Sequence, residues 1–222
     1  MLPLRLIRRC PVAVVLTLII CGGTLASYLS EPFARRMALD VMTVPMRPYT
    51  MLTYVLCHDD VLSFLFNIAV TASCLVWIES AAGRGHLYSL RTALSGILIP
   101  AGAFVLSALA FDAPAMTLTG ASGLAFTLAI YISETRRTRS VTILFCIIAL
   151  TGLFGPNAGG SVAHCAGALT GWTLGRLDLR RDTIRASVRA GKLASIHRKI
   201  QVSGFSALTE DERRFLSDTD SQ

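Results

Sequence analysis

Six apolar segments, most of them nearly free of charged residues, most constrain how this chain can fold. They cover about residues 11–29, 51–79, 89–110, 120–134, 140–154 and 161–177. An α-helix rises ~1.5 Å per residue, so segments of this kind approach or cross a hydrocarbon core of ~30 Å. Only 16% of the residues are charged and 53% are hydrophobic, which is unlike a soluble domain. We therefore predict an all-α polytopic membrane protein, with six helices in residues 1–177 and a short, soluble helical tail in residues 178–222.

Arginines are distributed unevenly around these segments, and their distribution predicts a topology. If the N-terminus lies inside the cell, most arginines at segment ends also lie inside, as the positive-inside rule expects. The inner set is Arg5, Arg8, Arg9, Arg84, Arg91, Arg136, Arg137, Arg139 and the arginines of the tail, and the outer set is Arg35, Arg36 and Arg47. Both termini are thus predicted to be cytoplasmic, and the fourth and sixth helices both start at the outer face.

The first apolar segment admits two interpretations. Basic residues precede it and small residues surround Ala26, as in a cleavable signal peptide. We favour an uncleaved first helix, because it makes the six-helix topology consistent. The compact layout, without a long presequence, predicts a multi-pass protein of a bacterial inner membrane.

The chain has a net charge of +7, and the first part of the tail, residues 178–203, is basic, with seven lysines and arginines and two aspartates. Arginine-rich residues next to a membrane span favour anionic lipid as a partner, and no nucleic-acid-binding motif accompanies them. Ile184, Val188, Ile196 and Ile200 fit one face of a helix lying on the membrane surface. A solvated helical hairpin fits equally well, with Thr209 and Glu212 forming a capping box at the start of its second helix.

Four polar residues inside or beside the apolar segments are candidates for chemistry, namely His58, Asn67, Ser122 and His164. Polar groups within a membrane are costly and usually have a reason to be there. Taken singly, each is more often a packing residue than a catalytic one. The predicted topology, however, brings Asn67, Ser122 and His164 to one level near the outer face.

Ser122 and His164 have the surroundings that a nucleophile and its base require. Ser122 falls in the first turn of its helix, where unpaired N–H groups suit an oxyanion. Small residues permit the close helix approach that a hydrogen bond of ~2.6–3.2 Å demands. These are Gly120 and Gly123 beside Ser122, and Gly167, Gly171 and Gly175 after His164. Since no acidic residue lies at this depth in helices four to six, the sequence predicts a dyad, with Asn67 and Ser63 as possible oxyanion donors.

The same residues resemble the motifs of the rhomboid family of intramembrane serine proteases. Gly120-Ala121-Ser122-Gly123 is similar to the family's GxSG motif, and the run from Ala163 to Gly171 is similar to its AHxxGxxxG helix. The segment from Pro48 through His58 to Asn67 resembles the family's first loop and second helix. The resemblance covers about residues 45–177, and residues 204–210 resemble a C-terminal module of some bacterial members.

This resemblance implies an activity, a set of site residues and a class of substrate. It implies a six-helix core that hydrolyses peptide bonds in or near transmembrane segments of other proteins, with no metal or organic cofactor. Ser122 would be the nucleophile and His164 the general base and acid. Asn67 and the N–H of Ser122 would bind the oxyanion, and Phe126 would pack near the histidine. The fifth helix and the loops at 111–119 and 155–160 would gate substrate and water.

One departure from the family pattern leaves a second function open. The family often has a second histidine in helix two, between the positions of His58 and Asn67, and this chain has Ser63 there. Ser63 reaches less far than histidine, so the oxyanion site would be weaker or rearranged. The alternatives are therefore an inactive rhomboid-like protein that binds transmembrane helices and, less in keeping with the motifs, a small transporter or assembly factor.

Overall fold

A computed structural model of the chain describes residues 8–81, 85–113, 116–152 and 158–220. The chain divides into two compact units, Met1–Arg176 and Leu177–Gln222. Several parts of the predicted layout lie outside the described residues, namely Arg5, Arg84, residues 114–115 of the loop at 111–119, the end of the fifth apolar segment and the first half of the loop at 155–160.

Helix α1 (Pro11–Leu29) begins with proline, whose missing N–H costs nothing at a helix start. Its first free N–H groups are capped from a distant part of the chain. The buried carboxylate of Glu79 accepts hydrogen bonds from the N–H groups of Ala13 at 2.9 Å and Val12 at 3.3 Å. The ring of His86 lies 2.7 Å from the same carboxylate. Glu79 therefore joins the start of α1 to His86.

Residues 30–60 fold into short elements, and here the prediction of one helix over 51–79 is corrected. The elements are α2 (Glu31–Met37), β1 (Leu39–Asp40), a 3₁₀ turn (Val41–Thr43), α3 (Thr50–Thr53) and a second 3₁₀ turn (Tyr54–Leu56). Extended backbone at Cys57 ends this run, and Asp60 caps the following helix. Two hydrogen bonds tie the segment back to α2, from the Thr53 hydroxyl to the Met37 carbonyl and from the Cys57 thiol to the Ala34 carbonyl.

Two further long helices follow, α4 (Val61–Val76) and α5 (Gly85–Ala110), and a π-helical turn (Trp77–Ala81) extends α4. Three stretches of the described chain are long and apolar enough to cross a membrane, namely Pro11–Leu29, Val61–Ser80 and Gly85–Ala110. A shorter apolar helix covers Ser140–Ala149. The prediction of a helical membrane protein is thus confirmed, whereas six spans remain a prediction.

A small antiparallel sheet is the exception to the predicted all-α fold. Strand β1 pairs with β2 (Thr117–Leu118), with Leu39 opposite Leu118 and Asp40 opposite Thr117. The N–H of Val41 extends the contact to the carbonyl of Met116 at 3.4 Å. The pair fixes the chain immediately before Thr119, and Leu39 and Leu118 are both buried.

The rest of the first unit is built around α6 (Ser122–Arg136), with α7 (Arg139–Gly152) and the start of α8 (Ala158–Ser203). Every residue of α6 from Gly123 to Tyr131 is buried, because α4, α5, α7 and α8 surround it. Helical backbone continues in α8 to Ser203, beyond the predicted end at 177. The sequence contains no proline there to stop it, and Gly204 with φ +77° ends it.

The second unit contains the end of α8, a 3₁₀ turn (Phe205–Ala207) and α9 (Glu210–Asp220). The predicted capping box is confirmed, since Thr209 N–H donates to the Glu212 carboxylate at 2.8 Å and Glu212 N–H to the Thr209 hydroxyl at 3.3 Å. Lys199 donates to the same carboxylate, and this hydrogen bond is the main cause that lowers the pKa of Glu212. Ile196 and Leu208 are buried within this unit.

Candidate active site

Ser122 is presented by a tight turn at the start of α6. Gly120 adopts φ +91°, a left-handed conformation that a side chain would strain. Ala121 is the N-cap residue and offers no side-chain cap. The first N–H groups of a helix have no partner inside it. Ser122 therefore combines a half-buried hydroxyl with an N–H that can donate to an anionic oxygen.

The turn before Ser122 is held by one segment of chain, residues 54–59. The Gly120 N–H donates to the carbonyl of Tyr54 at 3.1 Å, and the Thr119 hydroxyl donates to the carboxylate of Asp59 at 2.8 Å. The Ala121 N–H donates to Nε2 of His58 at 3.2 Å. Three consecutive residues are thus attached to the same short segment, which fixes the direction in which α6 begins.

The structure brings the two predicted dyad residues together. Nε2 of His164, on α8, lies 2.8 Å from Oγ of Ser122. The His164 ring is stacked on Phe126, with ring centroids 4.6 Å apart and planes 3° from parallel. Phe145 of α7 meets Phe126 edge-on at 5.0 Å. The aromatic contacts hold the plane of the imidazole, so that one nitrogen is directed at the hydroxyl.

Glycines set the distance between the helices that carry these two residues. A Cβ at Gly167 would lie 2.4 Å from the carbonyl oxygen of Gly123, and a Cβ at Gly171 would lie 2.2 Å from that of Thr127. Both distances are far inside van der Waals contact. The Thr127 hydroxyl lies 2.9 Å from the Gly123 carbonyl and 3.0 Å from the Gly167 carbonyl. Close backbone approach, with a hydroxyl between two carbonyls, thus brings His164 to Ser122.

The other predicted site residues fall into two groups. Asn67 is 5% exposed on α4, which packs along α6, and its side chain has no hydrogen-bond partner in the described part of the chain. Its amide is therefore free to bind a ligand. Ser63 is exposed, and its backbone N–H donates to the Asp60 carboxylate at 2.8 Å. The backbone of Ser63 is thus part of the helix cap. Nε2 of His58 accepts a hydrogen bond from the N–H of Ala121.

Several further residues lie at the site that the sequence does not predict. Tyr54, Asp59 and Thr127 support the turn and the α6–α8 contact, and Thr24 of α1 lies 3.0 Å from Nδ1 of His58. A sequence signal exists for Thr24 alone, because it follows Gly22-Gly23. A Cβ at Gly23 would lie 2.7 Å from Leu56, so this point of α1 touches the segment that holds the turn.

No grouping of three or more histidine, cysteine, aspartate or glutamate residues suited to a metal ion occurs among the described residues. A sequence model of the Rhomboid domain matches residues 45–181, which is more than half of the chain. The matched region includes Asn67, Ser122 and His164, and it leaves out α1. No curated protein sequence matches the chain significantly.

Proposed function

Because the chain belongs to the rhomboid family, whose members are generally intramembrane serine proteases, we propose that it is an intramembrane serine endopeptidase. Ser122 is the nucleophile and His164 the general base and acid. The observation that carries the proposal is the 2.8 Å separation of Ser122 Oγ and His164 Nε2. A hydroxyl becomes a competent nucleophile when a base at such a distance accepts its proton.

The reaction proceeds through an acyl-enzyme. His164 Nε2 takes the Ser122 proton while Oγ forms a bond to the substrate carbonyl carbon, whose oxygen becomes negatively charged. The protonated imidazole then gives its proton to the leaving amine as the C–N bond breaks. A water molecule, deprotonated by the same nitrogen, releases the acyl group. Stacking on Phe126 keeps the imidazole plane fixed through both steps.

The oxyanion binds at the start of α6. The N–H of Ser122 is one donor, and the dipole of α6 favours negative charge at that point. The buried amide of Asn67 is the second donor. We assign Ser63 no such role, since its side chain is exposed at the helix cap, where its N–H donates to Asp60. The proposed oxyanion site therefore has two hydrogen-bond donors, and a histidine at position 63 would offer a third.

The experiment that tests the proposal is cleavage of a single-span substrate protein by the purified full chain in detergent and in liposomes. Wild-type protein is expected to cut within or beside the span, whereas Ser122→Ala and His164→Ala are each expected to lower the cleavage rate by a factor of more than about 10³. Ser107→Ala is the matched control, because the one hydrogen bond of the Ser107 hydroxyl to the described residues is to the Phe104 carbonyl of its own helix. Undiminished cleavage by the Ser122→Ala protein would refute the mechanism.

A second function, binding of transmembrane helices without cleavage, is favoured by one observation. Ser63 stands where the family often has a histidine, and its side chain is exposed. In that case wild-type protein would capture a single-span substrate and leave it intact, and Ser122→Ala would bind equally well. The cleavage experiment therefore separates the two functions.

We further propose that both termini are cytoplasmic, that the chain resides in a bacterial inner membrane, and that the basic part of α8 binds anionic lipid. Exposed arginines flank the exposed apolar residues Ile184 and Val188, and they include Arg180, Arg181, Arg185 and Arg198. Each cationic side chain beside an anionic membrane surface contributes ~1 kcal/mol of binding free energy.

The lipid proposal predicts protection of residues 180–198 from hydrogen exchange in nanodiscs that contain phosphatidylglycerol. The protection is expected to be absent in phosphatidylcholine nanodiscs and to weaken in high salt, because surface charges are screened. Replacing the four arginines by glutamine is expected to remove it. Equal exchange in both lipids would contradict the proposal.

A further inference from the structure

A chain of hydrogen bonds runs from the first helix to the residue before Ser122. The hydroxyl of Thr24, in the middle of α1, lies 3.0 Å from Nδ1 of His58. Nε2 of the same ring accepts a hydrogen bond from the N–H of Ala121. Thr24 is 1% exposed and His58 is 5% exposed, so water does not compete readily for either bond.

The geometry fixes the tautomer of His58. A backbone N–H is always a donor, so Nε2 must present its lone pair to Ala121. In the neutral ring the proton then resides on Nδ1, which donates it to the Thr24 hydroxyl oxygen. Thr24 is thus the group that keeps the proton on Nδ1 and leaves Nε2 able to accept. Phe64 meets the ring edge-on at 5.3 Å and limits its rotation.

The consequence reaches the nucleophile because Ala121 and Ser122 are consecutive. The direction of the Ala121 N–H sets the Gly120–Ala121 peptide, in a turn where Gly120 already has φ +91°. A Cβ at Gly120 would lie 3.7 Å from Cδ2 of His58, so the ring also packs against the turn. A small rotation of this peptide moves both the Oγ and the N–H of Ser122.

We propose that Thr24 is a positioning residue for Ser122, acting through the tautomer of His58; the proposal rests on the proposed protease function. Thr24 lies in α1, outside the matched Rhomboid region at 45–181. The first helix therefore contributes to the geometry of the site without contacting the substrate.

The test compares Thr24→Val and Thr24→Ala, which lack the hydroxyl, with Thr24→Ser, which keeps it. Thr17→Val is the matched control, since Thr17 lies two turns earlier on α1 and its buried hydroxyl has no partner among the described residues. Labelling of Ser122 by a fluorophosphonate and substrate cleavage are measured together with the thermal unfolding midpoint. The alanine and serine variants differ by one oxygen, so their comparison holds even if Thr24→Val folds poorly.

We expect Thr24→Val and Thr24→Ala to lower kcat and the labelling rate by roughly tenfold with KM little changed, because a buried hydrogen-bond partner is lost. Thr24→Ser and Thr17→Val are expected to stay within about twofold of wild type. Wild-type rates in Thr24→Val and Thr24→Ala, or no recovery in Thr24→Ser, would overturn the proposal.

Hydrogen exchange at the Ala121 amide gives a readout that does not depend on activity. Loss of the Thr24 hydroxyl is expected to speed this exchange by about tenfold, because His58 Nε2 no longer accepts a fixed hydrogen bond. Thr17→Val is expected to leave it unchanged. If wild-type protein neither cleaves nor reacts with the probe, the protease function fails, and the exchange rate still decides whether Thr24 fixes the turn. Unchanged exchange in Thr24→Ala would refute the link.

Discussion

Asn67 and Ser63, one turn apart on α4, show how a single residue's partners decide its role. Asn67 is buried without a partner in the described chain, whereas Ser63 is exposed and its backbone N–H donates to the Asp60 carboxylate at the helix cap. From the sequence, both side chains are candidate oxyanion donors, because helix spacing places them on the same face. The capping bond at Asp60 distinguishes them, and spacing alone cannot reveal it.

Substitution at these two positions is expected to give unequal losses. Asn67→Ala should lower kcat by about 10²–10³, the usual effect of removing one oxyanion donor. Ser63→Ala should lower it by less than about tenfold, through a weaker cap at the start of α4. Steady-state cleavage of one substrate by both variants measures the difference. Equal losses at the two positions would place Ser63 in the oxyanion site and contradict this assignment.

The distance between Ser122 Oγ and His164 Nε2 depends on how closely α6 and α8 pack. Gly167 and Gly171 lie against the backbone of α6, so the two helices are closer than any side chain would allow. Gly175 continues the contact, with a would-be Cβ 2.7 Å from Glu134 Cβ, and Arg176 bonds the Glu134 carboxylate at 2.8 Å. The four-residue glycine spacing predicts this ridge, and the geometry at Gly167, Gly171 and Gly175 confirms it.

Gly171→Ala is expected to destabilise the protein by about 1–3 kcal/mol and to abolish most cleavage. The new methyl group would overlap the Thr127 carbonyl, and backbone atoms cannot move aside as a flexible side chain can. Gly102→Ala is the control in another long helix, since a Cβ there meets only Met51 Cε at 4.0 Å. Thermal unfolding in detergent and the cleavage rate are measured for both. A Gly171→Ala protein as stable and active as Gly102→Ala would contradict the close packing.

On the scale of the whole molecule, the sequence predicts helices well where apolar length alone decides them. The bounds of α1 agree with the apolar run at 11–29, and Ser122 begins α6 close to the predicted start at 120. The predicted start of the second helix at residue 51 is ten residues before the observed start at Val61, because residues 51–55 continue the apolar run. Bonds from Thr53 and Cys57 to α2 hold them in short turns, and such tertiary bonds leave no periodic signal.

The residues that support the proposed site are less predictable than the proposed site residues themselves. Ser122, His164 and Asn67 are conspicuous because polar residues are rare within apolar helices. The contacts of Glu79 with the start of α1 and of Thr24 with His58 join residues far apart in the chain. Neither pair has a spacing that marks it, since each contact depends on how complete helices pack together.

The most direct test of the account is covalent modification of Ser122 in the full-length protein. Purified protein is treated with a fluorophosphonate in liposomes, and intact mass and peptide mapping locate the adduct. One adduct per chain is expected on Ser122, with none in Ser122→Ala and a labelling rate at least about 10³ lower in His164→Ala. An unlabelled Ser122 in folded wild-type protein, or equally fast labelling without His164, would contradict the Ser122–His164 dyad.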